Sequence, residues 1–409
     1  MFVHTKLLLS KIQYRLAGWR LMQSIPNETW SGHEAWLAAC TGLAGFAALK
    51  VDLDKDPIFA LSEELRQKAL HDYYNKYAEF SNLRILIHVP PSKQSMGGFS
   101  LFSNWCDGLR HMGVNCDMVP FGISANDAIE EAGATVFFTS DHDSYLKWLD
   151  RDRLRKYRDK HPLILIFTAS AEHDGNPNAK KRLDRARSYG VNFFVSFREP
   201  EYIEEFLSDW KSSGFDVLSI PFSANPLVQR YIPFSTKPLD YVFLASSNPE
   251  KAPRYCEFLK SIFDQYKGVI NGPGWRQDHL ILDRQLHSYI YALGAVGVNL
   301  HIPVSLRLYS EINERTFILA CCGMFQLCDT PQVLRRYFPG EAVVSADTAS
   351  DYAEKFRFFL KNPGQRVPYQ LNSLRSVYQG QTIFHRMSFF VDRLLKELGK
   401  STERSGGLR

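Results

Sequence analysis

From Asn82 onward the chain repeats one pattern: short apolar runs of strand length, separated by amphipathic stretches of helix length. That alternation builds parallel βαβ units, because a strand pairing in parallel needs a crossover long enough to bring the chain back to the same end of the sheet. The first series places strands at Arg84–Val89 (RILIHV) and near Cys116–Val119, Thr135–Thr139, Leu163–Thr168, Asn192–Ser196 and Asp216–Ile220. Predicted helices lie between them, over Phe99–Met112, Asp143–Lys160, Asn178–Tyr189 and Glu201–Ser212. Pro221 to Leu239 carries four prolines and no strong period, as a linker does. The alternation then restarts. Strands are predicted at Tyr241–Ala245, Gly268–Asn271, Val296–His301 and Met324–Cys328, with helices over Pro253–Tyr266, His279–Leu293, Asn313–Cys322 and Thr348–Lys361. The expected fold is α/β, with two tandem doubly wound Rossmann-like domains. Such sheets bind ligands beyond the carboxyl ends of their strands.

The predicted organisation is a helical N-terminal extension over residues 1–81, a first Rossmann-like domain over 82–220, a linker over 221–239 and a second domain over 240–380. A closing helix over 381–399 shows one apolar face (Phe384, Met387, Val391, Leu394, Leu395, Leu398) and is free to cross back to the first domain. Residues 400–409 read as a disordered tail.

A chain of 409 residues is too long for one core, and 45% apolar content leaves disorder only for the ends. The net charge of +5 permits an anionic substrate but does not point to nucleic acid. The basic run Arg151–Lys160 also holds two Asp and reads as a solvated helix face. Seven Cys, an odd number with no C-x-x-C pair, suit a reducing compartment and argue against structural zinc. No secretory signal is recognisable, and the apolar run Ala35–Leu49 is shorter than a membrane span. These features lead to an expected cytoplasmic location. Before Glu28 the chain has basic but no acidic residues, with Leu8, Leu9, Ile12, Leu16, Trp19 and Met22 near helical spacing. A helix over residues 1–25 of that kind either packs on its own domain or makes a weak peripheral contact with an anionic membrane. A further helix is expected from Pro57, with Asp56 as its N-cap.

The stretch Ser305–Gly323 (SLRLYSEINERTFILACCG) is the most suggestive chemically. A loop with Tyr309, Ser310, Glu311, Asn313, Glu314 and Arg315 opens into an apolar helix that stops at Gly323. A helix start of this kind sets free backbone N–H groups beside side chains able to grip a ribose, a phosphate or a sugar hydroxyl; an ordinary helix start capped by Asn313 would look the same. Gly97 and Gly98 follow the first strand, where glycines let a phosphate approach the backbone, or simply form a loop. In the second domain Ser246, Ser247 and Asn248 end a strand, and Lys251 and Arg254 follow as counter-charges for a diphosphate or as surface charges. Asn271-Gly272-Pro273-Gly274-Trp275 is a tight turn presenting an indole, either to a base or to the core. Asp141, His142 and Asp143, and likewise Glu172 and His173, follow strands; a His flanked by carboxylates can act as a base, or be a plain loop residue. No catalytic triad, P-loop or His-rich metal pattern is present.

Taken together, FLASSNPEKAPRYCEFL, INGPGW, NERTFILACCG, MFQLCD and PQVLRRYFPGEAVV resemble, in order, the group 1 glycosyltransferases, and especially the branch related to spore-maturation glycosyltransferases. The segment Asp351–Pro363, ending FFLKNP, is similar to that family's closing helix. The resemblance covers about Leu239 to Met387 well, the first domain loosely and residues 1–80 not at all. It implies a GT-B fold, a UDP- or GDP-linked sugar as donor, no required cofactor or metal, and a glycan or lipid-linked acceptor. It implies that Gly97, Gly98, Arg254, Gly272, Trp275, Tyr309, Ser310, Asn313, Glu314 and Arg315 surround the donor, and Ser247 and Asn248, at the end of the first strand of that domain, are expected beside them. The family's motif reads N-x-R-x-F-E-A, and here Ile318 occupies the Glu position. Glu311 or Glu314 is near enough in sequence to stand in, so Glu311 joins His142 and Asp141 as a candidate catalytic residue. The expected function is sugar transfer, retaining in preference to inverting; the alternative is a catalytically silent nucleotide- or sugar-binding module of the same fold.

Overall fold

The computed structural model describes residues 53–406 except 93–94, 170–178, 235–236, 248–249, 276–283 and 303–311, together with residues 29, 34, 35 and 37. The helix expected over residues 1–25 and nearly all of Ala35–Leu49 lie outside the described residues. The chain divides into two compact units. Of the described residues, the N-terminal sheet unit takes Ala69–Leu227 and the chain from Thr382 on; the C-terminal sheet unit takes those up to Lys68 and those from Val228 to Gln381.

Helix α1 (Pro57–Tyr73) starts as the sequence predicts: Asp56 Oδ1 accepts from the backbone N–H groups of Ile58 and Phe59. In the N-terminal sheet unit, β1 (Arg84–Val89) leads to α2 (Met96–His111), capped by Ser95, and then to β2 (Asn115–Pro120). Helix α3 (Ala125–Ala132) and β3 (Val136–Ser140) follow. The predicted helix over Asp143–Lys160 is two, α4 (Asp143–Leu146) and α5 (Arg151–Arg158). The first closes at Lys147, and Asp150 caps the second by accepting from Arg153 N at 2.9 Å, a position Asp prefers to a helix interior. The unit continues with β4 (Ile164–Thr168), α6 (Ala179–Tyr189) and β5 (Phe193–Ser196). Helices α7 (Pro200–Phe206) and α8 (Ser208–Ser212), read from sequence as one, precede β6 (Val217–Ser219). All pairings are parallel, in the order β2-β1-β3-β4-β5-β6. The winding reverses between β1 and β3. Strands β1, β3, β4 and β5 of this unit are nearly continuous in buried residues because both faces are covered, whereas the edge strands β2 and β6 are partly exposed.

In the C-terminal sheet unit, β7 (Leu239–Leu244), α9 (Ala252–Gln265), β8 (Gly268–Asn271), α10 (His287–Ala292) and β9 (Gly294–Asn299) come first. Helix α11 (Glu314–Cys321), β10 (Gln326–Asp329), α12 (Leu334–Tyr337), β11 (Val344–Ala346) and α13 (Ala349–Lys361) complete the sheet, again all parallel, in the order β11-β10-β9-β7-β8. Here the winding reverses between β7 and β9. Helix α14 (Val367–Gly380) was not anticipated. The last helix, α15 (Ile383–Gly406), runs on through the first part of the segment expected to be disordered. It packs within the N-terminal sheet unit against α2: Phe390 lies 5.4 Å from Trp105, and Gly108 leaves room for Ile383. No helix among the described residues is long and apolar enough to cross a membrane.

Candidate functional site

The polar residues of the C-terminal sheet unit gather where the fold rule places a ligand, at the strand ends beside the reversal of winding. Asn299, the last residue of β9, is fully buried and is the hub. Its Oδ1 accepts from Asn313 Nδ2 at 2.9 Å and from Arg315 Nη1 at 3.0 Å; its Nδ2 donates to Thr316 Oγ1 at 2.8 Å. Asn313 also caps α11, its Oδ1 accepting from Thr316 N at 3.0 Å. Arg315 Nε donates to the Leu244 carbonyl at the end of β7, and its guanidinium lies over the Phe243 ring. The motif's polar letters therefore tie the start of α11 to the ends of β7 and β9.

One strand further, Asp329 ends β10 and is fully buried. Its Oδ2 accepts from Arg254 Nε at 3.1 Å and Nη2 at 3.0 Å, and its Oδ1 from His301 Nδ1 at 2.7 Å and from the His301 backbone N–H. Burial alone would raise the Asp329 pKa, but His301 and Arg254 outweigh it and hold the carboxyl below its ordinary range. An ionised carboxylate only accepts, so a neutral His301 carries its proton on Nδ1 and turns a bare Nε2 toward Thr316, 3.5 Å away. Thr316 gives its own hydrogen to Asn313. Nε2 is thus left as an acceptor without a short partner among these contacts. Sequence reasoning missed His301, Asp329, Asn299 and Thr316; the available signal was a polar residue just at the end of two otherwise apolar strands, VGVNLH and FQLCD.

His301, Cys328 and Asp329 lie close enough together to be considered as metal ligands. The arrangement does not suit a cation. Both Asp329 oxygens are taken, one by a guanidinium, and burial followed by the Asp329 charge keeps the Cys328 thiol protonated.

Two residues expected at the donor site are packing residues. Trp275 is buried, stacks on Tyr255 at 5.9 Å and donates its indole N–H to the Ala245 carbonyl at 2.6 Å. It closes the core beneath the strand end, because an indole with an apolar body and one donor is best satisfied there. Gly272 and Gly274 have φ of 144° and 84°, and a Cβ on either would run into the backbone of Ala245 or Ser247. These glycines admit the neighbouring loop, whose Ser247 N–H donates to the Pro273 carbonyl at 2.7 Å. Glu314 is the half-buried first residue of α11. Ile318 sits in an apolar cluster with Ile290, Tyr291, Leu319 and Cys322, so a carboxylate at that position would have to be buried.

In the N-terminal sheet unit, Gly97 and Gly98 lie in the first turn of α2, where the Gly98 N–H donates to Ser95 Oγ. Asp141 follows β3, buried, with Arg182 paired to both carboxylate oxygens and Arg185 on its carbonyl. His142 is exposed and caps α4; the Ser144 backbone N–H donates to its Nδ1, so a neutral His142 presents Nε2–H, a donor. Asn248, Tyr309, Ser310, Glu311, Glu172 and His173 lie outside the described residues.

Residues 253–392 match a family model described as glycosyl transferase-like. Curated protein sequences give no match. Among solved structures, the chain is similar to an alpha-glucosyltransferase in complex with UDP-glucose and DNA containing an abasic site (TM-score 0.54, 9% identity, 76% of this chain and 99% of that one). It is similar to T4 phage BGT in complex with UDP and Mn2+ (0.53, 12%, 75% and 98%). A third is the Anabaena HepE protein in complex with UDP-glucose (0.51, 8%, 77% and 100%). At such identities the likeness establishes the fold, α/β with two parallel sheets of the GT-B type.

Proposed function

We propose that this chain is a glycosyltransferase that moves a sugar from a nucleotide-sugar donor to a glycan or lipid-linked acceptor. The observation that carries the reading is the Arg254–Asp329–His301 chain at the strand ends of the C-terminal sheet unit, inside the segment with the glycosyl transferase-like match. The motif order supports the spore-maturation branch. UDP-glucose is bound in two of the neighbours above, which supports a UDP- or GDP-linked donor here.

In this reading Arg254 and Lys251, at the start of α9, face the diphosphate, with Ser246 and Ser247 beside it. Asn313 and Arg315 fix the edge of the site, and His301 Nε2 accepts from a donor hydroxyl. Cationic side chains stabilise the departing diphosphate without a metal. The bond from the sugar's anomeric carbon to the diphosphate oxygen breaks, and a bond from the acceptor oxygen forms on the same face. The acceptor's proton passes to the leaving phosphate oxygen, so no protein base is needed. That Asp141 is held by Arg182, and that His142 has Nδ1 occupied, supports this retaining route over an inverting one based on them.

The rival reading is a silent binding module, favoured by the apolar burial of Ile318. A thermal-shift screen against UDP-, GDP-, ADP- and CMP-linked sugars, followed by an assay for released nucleotide, tests both. A stabilising donor that is also consumed upholds transfer. Stabilisation with no turnover, for any acceptor or water, selects the silent module; no stabilisation by any donor overturns the site.

A further inference from the structure

A cavity of mixed apolar and polar lining lies in the C-terminal sheet unit, at the end of its strands opposite Asn299 and Asp329. It holds about 200 Å³ and opens where β9 and β10 begin. Small residues, Ala292, Gly294, Ala295 and Gly323, leave the space. Two cations border it. Lys237 Nζ donates to the Ala292 carbonyl at 2.6 Å, and Arg366 Nη1 donates to the Ala295 carbonyl at 2.8 Å. They thus bracket the first turn of chain into β9. Neither makes an ion pair among the described residues. Arg366 closes a single helical turn, Pro363–Arg366, and immediately precedes α14. The nearest carboxylate to act on Lys237 is Asp56, and its oxygens are spent on the start of α1 and on the Tyr231 hydroxyl, at 2.9 Å.

We propose that this cavity binds a phosphate-sized dianion, either free phosphate or the phosphate group of a small monoester, with Lys237 and Arg366 as its counter-charges. Each cation keeps further N–H donors beyond the one given to its carbonyl, and a guanidinium and an ammonium together suit a tetrahedral oxyanion. Their crowding supports the assignment. Lys237 is exposed as a residue, yet the crowding of its ammonium, and then the Arg366 charge, bring its pKa down to about 8. An anion between them relieves both costs. The site is separate from the proposed donor site and stands or falls without it.

The experiment is reductive methylation of the full chain with mass-spectrometric readout at each lysine, with and without inorganic phosphate, in matched chloride and with UDP present to occupy any donor site. Lys237 is expected to react readily and to be protected saturably by phosphate, while exposed lysines such as Lys160 are not. Arg366→Gln is expected to weaken that protection about tenfold or more, the loss of one charge-assisted contact, and Arg366→Lys to retain most of it. Glycerol 3-phosphate is the second arm: tighter protection than by phosphate assigns the site to a monoester, and equal or weaker protection assigns it to the free ion. If neither anion protects Lys237 beyond matched chloride, or both protect it equally in Arg366→Gln, the proposal is overturned. The protection on the unmodified chain decides the matter even where a variant folds poorly.

Discussion

Acid should loosen the N-terminal sheet unit through one residue, His88, and the size of the effect follows from its surroundings. The ring is 1% exposed on β1, boxed by Phe121 at 5.1 Å, Tyr145 at 5.4 Å and Phe137 at 5.8 Å. Nδ1 meets Thr139 Oγ1 at 3.1 Å, and Nε2 has no partner among the described residues. Burial lowers its pKa to about 4, against an ordinary 6.5 in the unfolded chain. Below pH 6.5 the unfolded chain therefore takes up a proton that the folded unit refuses. The stability His88 contributes is complete above pH 6.5 and falls by about 1.4 kcal/mol per unit as pH drops toward 4. Carboxylates add to the loss only below about pH 5, so the window from 6.5 to 5 isolates histidines, at about 2 kcal/mol for His88. His385, lowered to about 4 by burial and then by Arg386 and Lys76, moves in the same direction. Urea unfolding across that window, on the wild type and on His88→Phe, should show the variant losing about 2 kcal/mol less. Phe suits the aromatic box and cannot titrate. An NMR titration placing His88 near 6.5, or an unchanged acid slope in His88→Phe, would refute the reasoning.

Three further outcomes are expected. Asp329→Asn removes the charge between Arg254 and His301 and should cost about 3 kcal/mol of stability in denaturant titrations, because it strands a half-buried guanidinium. Arg254→Ala should weaken nucleoside diphosphate binding by about 1.5–3 kcal/mol in calorimetry, whereas Arg315→Ala, whose guanidinium is spent on Leu244 and Asn299, should mainly lower the melting temperature. Gly274→Ala should destabilise by about 1–3 kcal/mol, since φ is 84° and the new Cβ meets the Ser247 carbonyl; an unchanged melting temperature contradicts that turn geometry.

The strands were legible because parallel strands covered on both faces are short unbroken apolar runs, and Arg84–Val89 and Gly268–Asn271 have the predicted bounds. Helix bounds were less so. Asp150 and Leu207 break what periodicity reads as single helices, and α3, eight residues long, was too brief to register. The site was half legible. Arg254, Asn313 and Arg315 do reach the strand ends of one sheet, because the motif marks a helix start facing them. Their partners Asn299, His301 and Asp329 were hidden, since a single polar residue closing an apolar strand has no spacing to betray it. Trp275 was misleading for a related reason: the sequence shows an indole in a turn but not which way it faces.

The convergence of Asn313, Arg315 and Thr316 on Asn299 bears on how such chains can be compared. What those letters do here is seat a helix on a sheet, whatever happens at the ligand. A descendant that had lost turnover would still spell them, and one that kept turnover but re-anchored the helix could lose them. Inventories of chains drawn up from this motif would thus sort them by how that helix is stapled to its sheet.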